Sequence, residues 1–378
     1  MSQIEIRDIC ACKDLHGFIC VTDEIYRHCP QYVPDMESDV RALFNCQKNP
    51  ALAFSDLQPF VAYRDGRAVG RIVGIVNRKA NERWQTQDVR FSMIEFVDDL
   101  AVSKALLQAV EIWGREKGMT SMHGPLGITD FDKEGMLVED FELTGAMTSY
   151  YNPAYYPKHM EQLGFQKEVD WLQVRIQIPP EVPAKYARVA QYAREQIGLR
   201  VRKISRHDLL KGGYGQKVFK LLNEAYAPIF GFSALSEKQA EQFLAKYAPI
   251  LDMELCPLIE NADGELVGLA VTVGSMVTAL QKSRGRLWPF GWYHLLRAVW
   301  GHRDDNTEML LIAVRPDYQG LGVNAMFFDD LIPVYNRKGY TWAETGPQLE
   351  TNVRELTQWK PLSPQFVKRR RCYKKLIV

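Results

Sequence analysis

Long apolar runs are what this 378-residue sequence most clearly lacks. No segment approaches the roughly 20 apolar residues that a membrane-spanning helix requires. The amino terminus, MSQIEIRDICACKDLHGF, alternates polar and apolar residues, and it lacks the basic start and continuous apolar core of a signal peptide. We therefore expect an amino-terminal β-strand and predict a soluble, cytoplasmic protein with no membrane span.

The net charge is also small, because 47 basic residues nearly balance 46 acidic residues and leave a formal charge of +1. A neutral chain has no global field that favours nucleic acid or an anionic membrane. The basic cluster KRRRCYKK (368–375) lacks the wide basic face with interleaved aromatic residues that nucleic-acid binding requires. It predicts a final strand with outward-facing Arg and Lys, or a contact to the ribose phosphate of a cofactor. No nucleic-acid partner is predicted, and the oligomeric state stays open.

Metal-binding motifs are missing as well. Five of the seven cysteines fall in the first fifty residues, but they lack CxxC spacing, and the histidines show no paired spacing with cysteines or carboxylates. We predict no metal, and we expect reduced, mostly buried thiols. The residues considered are Cys10, Cys12, Cys20, Cys29 and Cys46, with His123, His159, His294 and His302.

An internal repeat on the scale of a domain organises the chain. Residues 59–76 read PFVAYRDGRAVGRIVGIV and residues 257–273 read PLIENADGELVGLAVTV. Both predict a β-hairpin, since Asp-Gly supplies the positive φ of a tight turn. A second echo joins VEIWGREKGMTSMHGPLG (110–127) to IPVYNRKGYTWAETGPQL (332–349), where each predicts a helix end, a Lys-Gly stop and a short strand. Because the order is the same in both halves, we expect two tandem domains.

Each half carries a further strand between its two echoes, at 90–99 and 308–317, followed by an amphipathic helix. The unit is therefore hairpin, strand, helix, strand, helix, which is an α/β pattern. Three prolines in IQIPPEVPAK (176–185) interrupt both periodicities and predict a boundary near Pro180. The predicted domains are residues 1–180 and 181–378.

The second half also contains an aromatic-rich insertion, residues 274–305. Rings of this size would be exposed on a bare loop, so we expect the insertion to cover something. It predicts either a helical hairpin that fills the interface between the halves or a lid over a ligand. The rings are Trp288, Phe290, Trp292, Tyr293 and Trp300.

A glycine turn, Gln319-Gly320-Leu321-Gly322, lies between an apolar strand and a helix in MLLIAVRPDYQGLGVNAMFFDDLI (309–332). The first N–H groups of such a helix point outward with the positive end of the helix dipole behind them, which suits a phosphate. A Walker A loop is excluded because no Gly-Lys-Ser/Thr follows, and a dinucleotide fingerprint would need a third glycine. From these residues alone, a phosphate cradle and a simple tight turn are equally open.

The run VRPDYQGLGV (314–323) resembles the acetyl-CoA pyrophosphate motif of the GNAT acetyltransferase superfamily, Gln/Arg-x-x-Gly-x-Gly/Ala. Gln319 and Gly322 match the motif, whereas Asn324 stands where the family prefers Gly or Ala. The resemblance extends over residues 200–378 and implies binding of acetyl-CoA or another acyl-CoA where two strands splay apart. It implies that Ile312, Ala313 and Val314 line pantetheine, that Gln319, Gly320, Leu321, Gly322, Val323, Asn324 and Ala325 hold the pyrophosphate, and that Asn352 binds a pantetheine amide or a bridging water.

Two side chains are candidates for proton transfer in the implied reaction. Glu344, on the predicted strand YTWAETG, is the candidate base, and its alternative role is an ion pair with the basic tail. Tyr373 is the candidate acid, since a phenol can return a proton to a thiolate, and its alternative role is ordinary packing.

The first half resembles the same fold without its signature. Its segment EFVDDLAVSKALLQAVEIW (95–113) has no glycine turn, and Asp98 and Asp99 would cap the helix and repel a pyrophosphate. The segment YYPKHMEQLGFQKEVDW (155–171) nevertheless resembles the Tyr-x-x-x-Gly-Phe ending of GNAT domains. We interpret the first half as a degenerate copy that has lost its cofactor.

The resemblance implies two GNAT-like domains, each with a mixed, mostly antiparallel sheet flanked by helices. It implies an N-acyltransferase that transfers an acyl group, in the first place acetyl, to the amine of a small molecule or a peptide. Tandem GNAT folds also occur in N-myristoyltransferases and peptidyl aminoacyl transferases, so a longer acyl group is open too. A non-catalytic sensor of CoA or another phosphate ligand is the alternative, and a purely structural protein is indicated if the side chain of Asn324 closes the glycine turn.

Overall fold

A computed structural model describes residues 3–9, 15–301 and 304–377. The chain forms two compact units, and each contains segments from both halves of the sequence. The compact units differ from the predicted ranges 1–180 and 181–378, because part of the insertion and most of the last strand join the first unit and residues 173–180 join the second. Unit 1 comprises Met1–Leu172, Leu280–Trp292 and Lys368–Val378, and unit 2 comprises Gln173–Ala279 and Tyr293–Val367.

Most elements of unit 1 come from the first half of the sequence, and strands β7 (Gln166–Gln177) and β14 (Gln365–Leu376) each continue from one unit into the other. The remaining elements of unit 1 are β1 (Glu5–Asp8), α1 (His16–Ile25), α2 (Glu37–Leu43), β2 (Ser55–Arg64), β3 (Arg67–Asn77), α3 (Arg78–Trp84), β4 (Asp88–Phe96), α4 (Leu100–Glu116), β5 (Ser121–Gly124), β6 (Met136–Leu137) and α5 (Tyr155–Gln162). The strand order is β1-β2-β3-β4-β5-β14. Only β4 and β5 pair in parallel in this order.

Unit 2 repeats this arrangement with the strand order β7-β12-β11-β10-β9-β8, in which only β11 and β12 pair in parallel. Helices α10 and α11, from the predicted insertion, continue from one unit into the other. The elements are α6 (Ala184–Gln196), β8 (Arg200–Arg202), α7 (Arg206–Leu210), α8 (Tyr214–Tyr226), α9 (Glu237–Tyr247), β9 (Leu258–Glu260), β10 (Leu266–Gly274), α10 (Val277–Ser283), α11 (Gly291–Gly301), β11 (Asn306–Val314), α12 (Val323–Lys338), β12 (Trp342–Thr345), β13 (Gln348–Leu349) and α13 (Val353–Gln358).

The two predicted hairpins and the predicted fold class are confirmed. β2 and β3 are joined at Asp65 and Gly66, which both have positive φ, as a tight hairpin turn requires. In unit 2, β9 and β10 form the matching pair, and Gly264 has positive φ. Both units have a mixed, mostly antiparallel sheet flanked by helices.

Each sheet buries one face under its long helix. In unit 1 the apolar side chains of α4 and α5 pack with those of β4 and β5. In unit 2 α12 and α6 cover the corresponding face, and Met309, Ala343 and Ile176 point into that core. Side chains that alternate with these residues along each strand therefore point to the opposite face. The candidate site of unit 2 lies on that opposite face and at the amino end of α12.

The aromatic insertion contradicts one sequence-based expectation. It contains two helices, α10 and α11, but most of its rings are not covered. Trp288 is 80% exposed, Phe290 71% and Trp300 75%. The expectation that the insertion covers another part of the protein is therefore not met by Trp288, Phe290 and Trp300.

Thiols and helix lengths complete the description of the fold. No disulfide joins the five cysteines within the described ranges, and only Cys256 and Cys372 among them are buried, so the expectation of mostly buried thiols is not met. Cys10, Cys12 and His302 lie outside the described residues. Among the described helices, none combines the length and apolar character that crossing a bilayer would take.

Candidate functional site

The two central strands of unit 2 separate partway along their length. β12 pairs with β11 only from Asn306 to Met309, and the N–H of Gly346 then donates to the carbonyl of Met309 (2.9 Å). β10 continues to pair with β11 up to Val314, with an irregular register beside Leu310. The edge of β11 that faces away from β10 therefore has no strand partner from Leu310 to Val314 in the part of the chain that the structure describes. This strand opening coincides with the predicted pantetheine segment.

The three residues predicted to line pantetheine lie within this strand opening. Ala313 is buried and points away from the α12 core, whereas Ile312 and Val314 pack against that core. The side chain of Ala313 is only a methyl group, and the residue is 2% exposed. The backbone of an unpaired strand edge offers N–H and C=O groups to an extended ligand.

The glycine turn has the geometry that the sequence predicts. A 3₁₀ turn at Pro316–Tyr318 precedes it, and Gly320 and Gly322 have φ values of 82° and 89°. α12 starts immediately afterwards, and no described side chain caps its first turn. A Cβ on Gly320 would meet nothing within 4 Å in the described chain, so the space above the turn is open. The outward N–H groups and the helix dipole favour an anion here.

Side chains around the glycine turn fall into two groups. Gln319 donates through Nε2 to the carbonyl of Val314 (3.4 Å) and accepts at Oε1 from Arg354 (3.5 Å). Arg354, which the sequence analysis did not single out, brings a guanidinium to the turn. Arg315 instead binds Asp317 through two nitrogens (2.8 and 2.9 Å) and Glu265 through a third (3.1 Å).

The remaining predicted cradle residues contribute differently. Val323 and Ala325 are buried in the core beneath α12, so only their backbone can reach a ligand, and Leu321 is 40% exposed. Asn324 turns its side chain sideways, where Nδ2 donates to Oε1 of Gln358 (2.6 Å). The condition set for a purely structural turn, closure by Asn324, is therefore not observed.

A row of charged side chains crosses the same face of the sheet. Glu344 is 2% exposed and accepts two hydrogen bonds from Arg175 on β7 (2.8 and 3.2 Å) and one from Gln173 (3.1 Å). The register places Glu308, also buried, beside Glu344 on β11. The guanidinium of Arg175 lies 4.4 Å from the ring centre of Trp342. Glu344 thus forms an ion pair with Arg175 of a neighbouring strand.

Tyr226 is the residue that sequence reasoning missed in this unit. It ends α8, which packs on β10 and β11, and its hydroxyl donates to the carbonyl of Ile312 (3.1 Å). A phenol is therefore held at the strand opening itself. The two residues lie 86 positions apart, so no local motif links them.

Two predicted site residues lie elsewhere or are otherwise engaged. Tyr373 belongs to the core of unit 1, where it is 1% exposed, pairs with Gly124 and has its pKa raised to about 12 by burial. This placement follows from β14 completing the sheet of unit 1, and it gives no support to Tyr373 as the acid for the glycine turn of unit 2. Asn352 caps α13, where Oδ1 accepts the N–H of Glu355 (3.3 Å).

Unit 1 places a buried acid at its own strand opening. β4 pairs with β5 only from Asp88 to Arg90, and Glu95 lies further along β4 beside a narrow cavity. Its Oε2 accepts hydrogen bonds from the hydroxyls of Tyr26 and Tyr156, and Arg71 lies 3.8 Å from its Oε1. Burial raises the pKa of Glu95 to about 7, although Arg71 and the tyrosines act to lower it.

A further polar cluster in unit 1 joins His123, Glu168 and Cys372, whose candidate ligand atoms lie within 4.8 Å of one another. Sequence spacing hid this cluster because its members come from three strands or strand ends. Lys374 lies 3.2 Å from Oε1 of Glu168, whereas His123 and Cys372 contact Oε2 of the same carboxylate. Burial would raise the pKa of Glu168, but the hydrogen bond from His123 and the charge of Lys374 lower it to about 2. The cluster is therefore held together without requiring a metal.

Comparison with known proteins identifies the fold. No family model matches the sequence. The chain is 27% identical over 308 residues to a bacterial ceramide synthase of Caulobacter vibrioides. The aligned region covers 81% of this chain and 79% of that protein. It is 25% identical over 374 residues to the protein YghO of Escherichia coli K12, which covers 97% of this chain and 93% of that protein.

Solved structures give the same architecture over the full length. A tandem GNAT protein from the clavulanic acid biosynthesis pathway matches with a TM-score of 0.58 at 13% identity, covering 100% of this chain and 99% of that one. A GCN5-related N-acetyltransferase from Sphaerobacter thermophilus matches with a TM-score of 0.53 at 13% identity, covering 99% of this chain and 96% of that one. The chain therefore has the tandem GNAT fold that the sequence motif predicts.

Proposed function

We propose that the chain is an acyl-CoA-dependent N-acyltransferase whose thioester site lies in unit 2. The observation that carries this proposal is the combination, within one unit, of an uncapped glycine turn and an open strand edge leading away from it. The turn suits a pyrophosphate and the strand edge suits an extended amide-bearing arm, in the order in which CoA presents these groups. In unit 1 the corresponding helix is capped by Asp99, which speaks against a second phosphate site.

The acyl group is proposed to be a fatty acyl chain and the acceptor a long-chain amine. One relative is named a ceramide synthase, and a ceramide is a long-chain base that carries a fatty acyl group in amide linkage. Making that amide is N-acylation, which is the reaction class that the resemblance to GNAT acetyltransferases implies. Acetyl-CoA, the first expectation from the sequence, becomes the comparison donor in the experiment below.

The chemistry asks little covalent work of the protein. A bound acyl-CoA supplies an activated thioester, and an amine displaces the CoA sulfur to give an amide. The protein must accept one proton from the amine and return one to the sulfur. We assign the second task to the hydroxyl of Tyr226, which lies at the strand opening (3.1 Å from the carbonyl oxygen of Ile312), in place of Tyr373.

Glu344 stays the proposed proton acceptor, with Glu308 beside it on the neighbouring strand. Arg175 and Gln173 already occupy three hydrogen-bonding positions of Glu344. Proton transfer through Glu344 therefore requires a free lone pair, and the neighbouring carboxyl of Glu308 is the alternative acceptor. If neither carboxyl contributes, the non-catalytic CoA sensor is the better description of unit 2.

A thermal-shift measurement with matched glycine variants tests the binding step. CoA, acetyl-CoA and palmitoyl-CoA below its micellar concentration are titrated against the wild type and Gly320→Glu. Ligand at 100 times Kd should add about 2.7 kcal/mol of stability to the wild type, and the glutamate should remove this by charge and bulk. Gly264→Glu is the control, because its φ of 77° is close to the 82° of Gly320 and a Cβ meets nothing within 4 Å at either position.

Mass spectrometry of the amide product tests the reaction itself. Palmitoyl-CoA with a sphingoid base should yield the N-acyl product and free CoA in equal amounts, and acetyl-CoA should yield less. An unchanged melting temperature with all three ligands would contradict the proposal. A shift that Gly264→Glu and Gly320→Glu abolish equally would also contradict it, since the loss would then reflect the fold and not the turn.

A further inference from the structure

The aromatic segment, Leu287–Trp300, is an exposed apolar surface on a chain that is otherwise well packed. Besides Trp288, Phe290 and Trp300, several residues of α11 are more than a third exposed. Trp292 is 44% exposed, Tyr293 47% and Leu296 40%. Clustered exposed rings of this size mark an interaction surface in a soluble domain.

The exposed residues of α11 share one side of the helix. Trp292, Leu296 and Trp300 are spaced by four residues, which places them one above the other on an α-helix. Arg297 lies beside them, with its guanidinium 3.1 Å from the hydroxyl of Tyr293. The helix therefore presents an apolar stripe bordered by a cation, and not a uniformly apolar surface.

The chain that leads into this segment is anchored. Gln281 donates through Nε2 to the carbonyls of Pro30 (2.7 Å) and Tyr32 (3.0 Å), and the N–H of Glu37 donates to the carbonyl of Gly285 (2.8 Å). Gly285 is required there, because a Cβ would lie 2.0 Å from the carbonyl oxygen of Asp35. These contacts fix the position of the backbone that leads to the exposed rings.

The local charge differs from that of the whole chain. Residues 277–301 contain four basic residues and no acidic residue, whereas the complete sequence is nearly neutral. Lys282 and Arg284 are exposed, and Arg286 pairs with Asp23 and Glu37 of unit 1. Exposed tryptophan and tyrosine rings with neighbouring Lys and Arg are the composition of helices that lie in the headgroup region of a bilayer.

We propose that the aromatic segment binds the surface of an anionic phospholipid membrane, with its rings at the headgroup level and its basic side chains against lipid phosphates. The inference does not depend on the proposed activity, because it requires only lipid and the protein. A bound membrane would be the source of an amphiphilic acceptor that water dissolves poorly. Neither a membrane-spanning helix nor a globally basic protein is needed for this mode of binding.

Vesicle flotation without any CoA ligand tests this proposal. The wild type is mixed with phosphatidylcholine vesicles that contain or lack phosphatidylglycerol. Replacing Trp288, Phe290 and Trp300 together by Ser should weaken binding to the mixed vesicles by roughly tenfold or more, since the rings supply the buried apolar area. Arg284→Gln should weaken it about fivefold on mixed vesicles and little on neutral ones.

The control is a triple variant that removes three apolar side chains outside the segment that are 48–53% exposed, Ile112→Ser, Leu210→Ser and Phe366→Ser. It should float as the wild type does, and the thermal midpoints of both triple variants should match. Absence of wild-type flotation on mixed vesicles would overturn the proposal. A second outcome would also overturn it: light scattering shows a dimer for the wild type and a monomer for the ring variant, and the two proteins float equally. The segment would then be an interface between two copies.

Discussion

The strand openings of the two units differ at one equivalent position. The position is Glu95 on β4 in unit 1 and Ala313 on β11 in unit 2. Each lies the same number of residues after the first parallel pair of its unit. That pair is Asp88 with Ser121 in unit 1 and Asn306 with Trp342 in unit 2. In unit 1 the opening holds a carboxyl bound by two tyrosines. In unit 2 it holds only the methyl group of Ala313, which is buried. The equivalent position therefore carries a buried carboxyl in one copy and a small apolar side chain in the other.

The helices that follow these strands repeat the contrast. Asp99 caps α4 by accepting the N–H of Ala101 (2.8 Å), and Arg64 in turn binds Asp99 (2.5 Å). Gly322 begins α12 with no capping side chain among the described residues. Unit 1 satisfies its strand opening and helix end with its own side chains. In unit 2, Tyr226 and Gln319 contact carbonyls at the strand opening, and the helix end has no side-chain cap among the described residues. Under the proposed function, this difference distinguishes the CoA-binding unit from its degenerate copy.

Placing the acid of unit 1 in unit 2 should have the largest effect. Ala313→Glu puts a carboxylate at the strand opening, where it meets both the bulk and the charge of a bound ligand. We expect acyl-CoA affinity to fall at least a thousandfold, or about 4 kcal/mol, by isothermal titration. Ala313→Ser should bind nearly as the wild type does. A folded Ala313→Glu protein with unchanged affinity would show that the ligand does not pass this strand.

The next prediction concerns unit 1, where Glu95 should make the stability of the folded protein depend on pH. A pKa of about 7 for Glu95 in the folded protein, against an ordinary value of 4.5, means that folding favours its protonated form. The stabilisation that protonated Glu95 gives the folded state is therefore fully present below pH 4.5. It is lost as the pH rises to 7, which lowers the free energy of unfolding by about 3 kcal/mol. Urea unfolding should show Glu95→Gln gaining stability relative to the wild type by about this amount between pH 4.5 and 8.

Other partly buried acids also titrate in this pH range, so the quantity to measure is the difference in stability between the wild type and Glu95→Gln. Burial raises the pKa of Asp130 and of Glu355 to about 7, so both proteins should keep a common loss of stability as the pH rises. Only the difference between wild type and Glu95→Gln isolates the acid at the strand opening. A difference that stays constant from pH 4.5 to 8 would mean that Glu95 ionises at its ordinary pKa.

Local patterns in the sequence were enough to predict the glycine turn, the hairpins and the order of elements. Each depends on a few neighbouring residues, such as Asp65-Gly66 in the hairpin or Gln319-Gly320-Leu321-Gly322 before α12. Pairings across long sequence distances were not predictable in this way. Arg175 binds Glu344 because β7 continues into unit 2 beside β12, and no periodicity records that path.

Two further expectations failed for physical reasons. Tyr373 was assigned to the second domain because it lies in the second half of the sequence, but β14 completes the sheet of unit 1 and buries the residue there. The rings of the aromatic segment were expected to be covered because apolar groups avoid water. That rule states a preference relative to water and does not exclude a surface made for another apolar medium.

Removing one hydroxyl from each unit should separate chemistry from packing. Tyr226→Phe should lower kcat about a hundredfold with little change in KM and should remove the alkaline limb of the pH profile, if the phenol returns the proton. Tyr26→Phe is the matched control, because Tyr26 follows α1 as Tyr226 ends α8, and its hydroxyl donates to Glu95. It should cost about 1 kcal/mol of stability and leave kcat unchanged. Equal kcat values for both variants would return Tyr226 to a packing role.

The smallest effect is expected at Asn324, the residue that departs from the cofactor motif. Its side chain binds Gln358, so a ligand at the turn would meet only its backbone N–H. Asn324→Ala should change acyl-CoA affinity less than about threefold while costing about 1 kcal/mol of stability. Asn324→Asp keeps the shape and adds a negative charge at the start of α12, so it should weaken binding about tenfold and more strongly at low salt. Equal binding by the two variants would mean that no anion lies at this helix end, and unit 2 would then resemble unit 1 in the feature that distinguishes them.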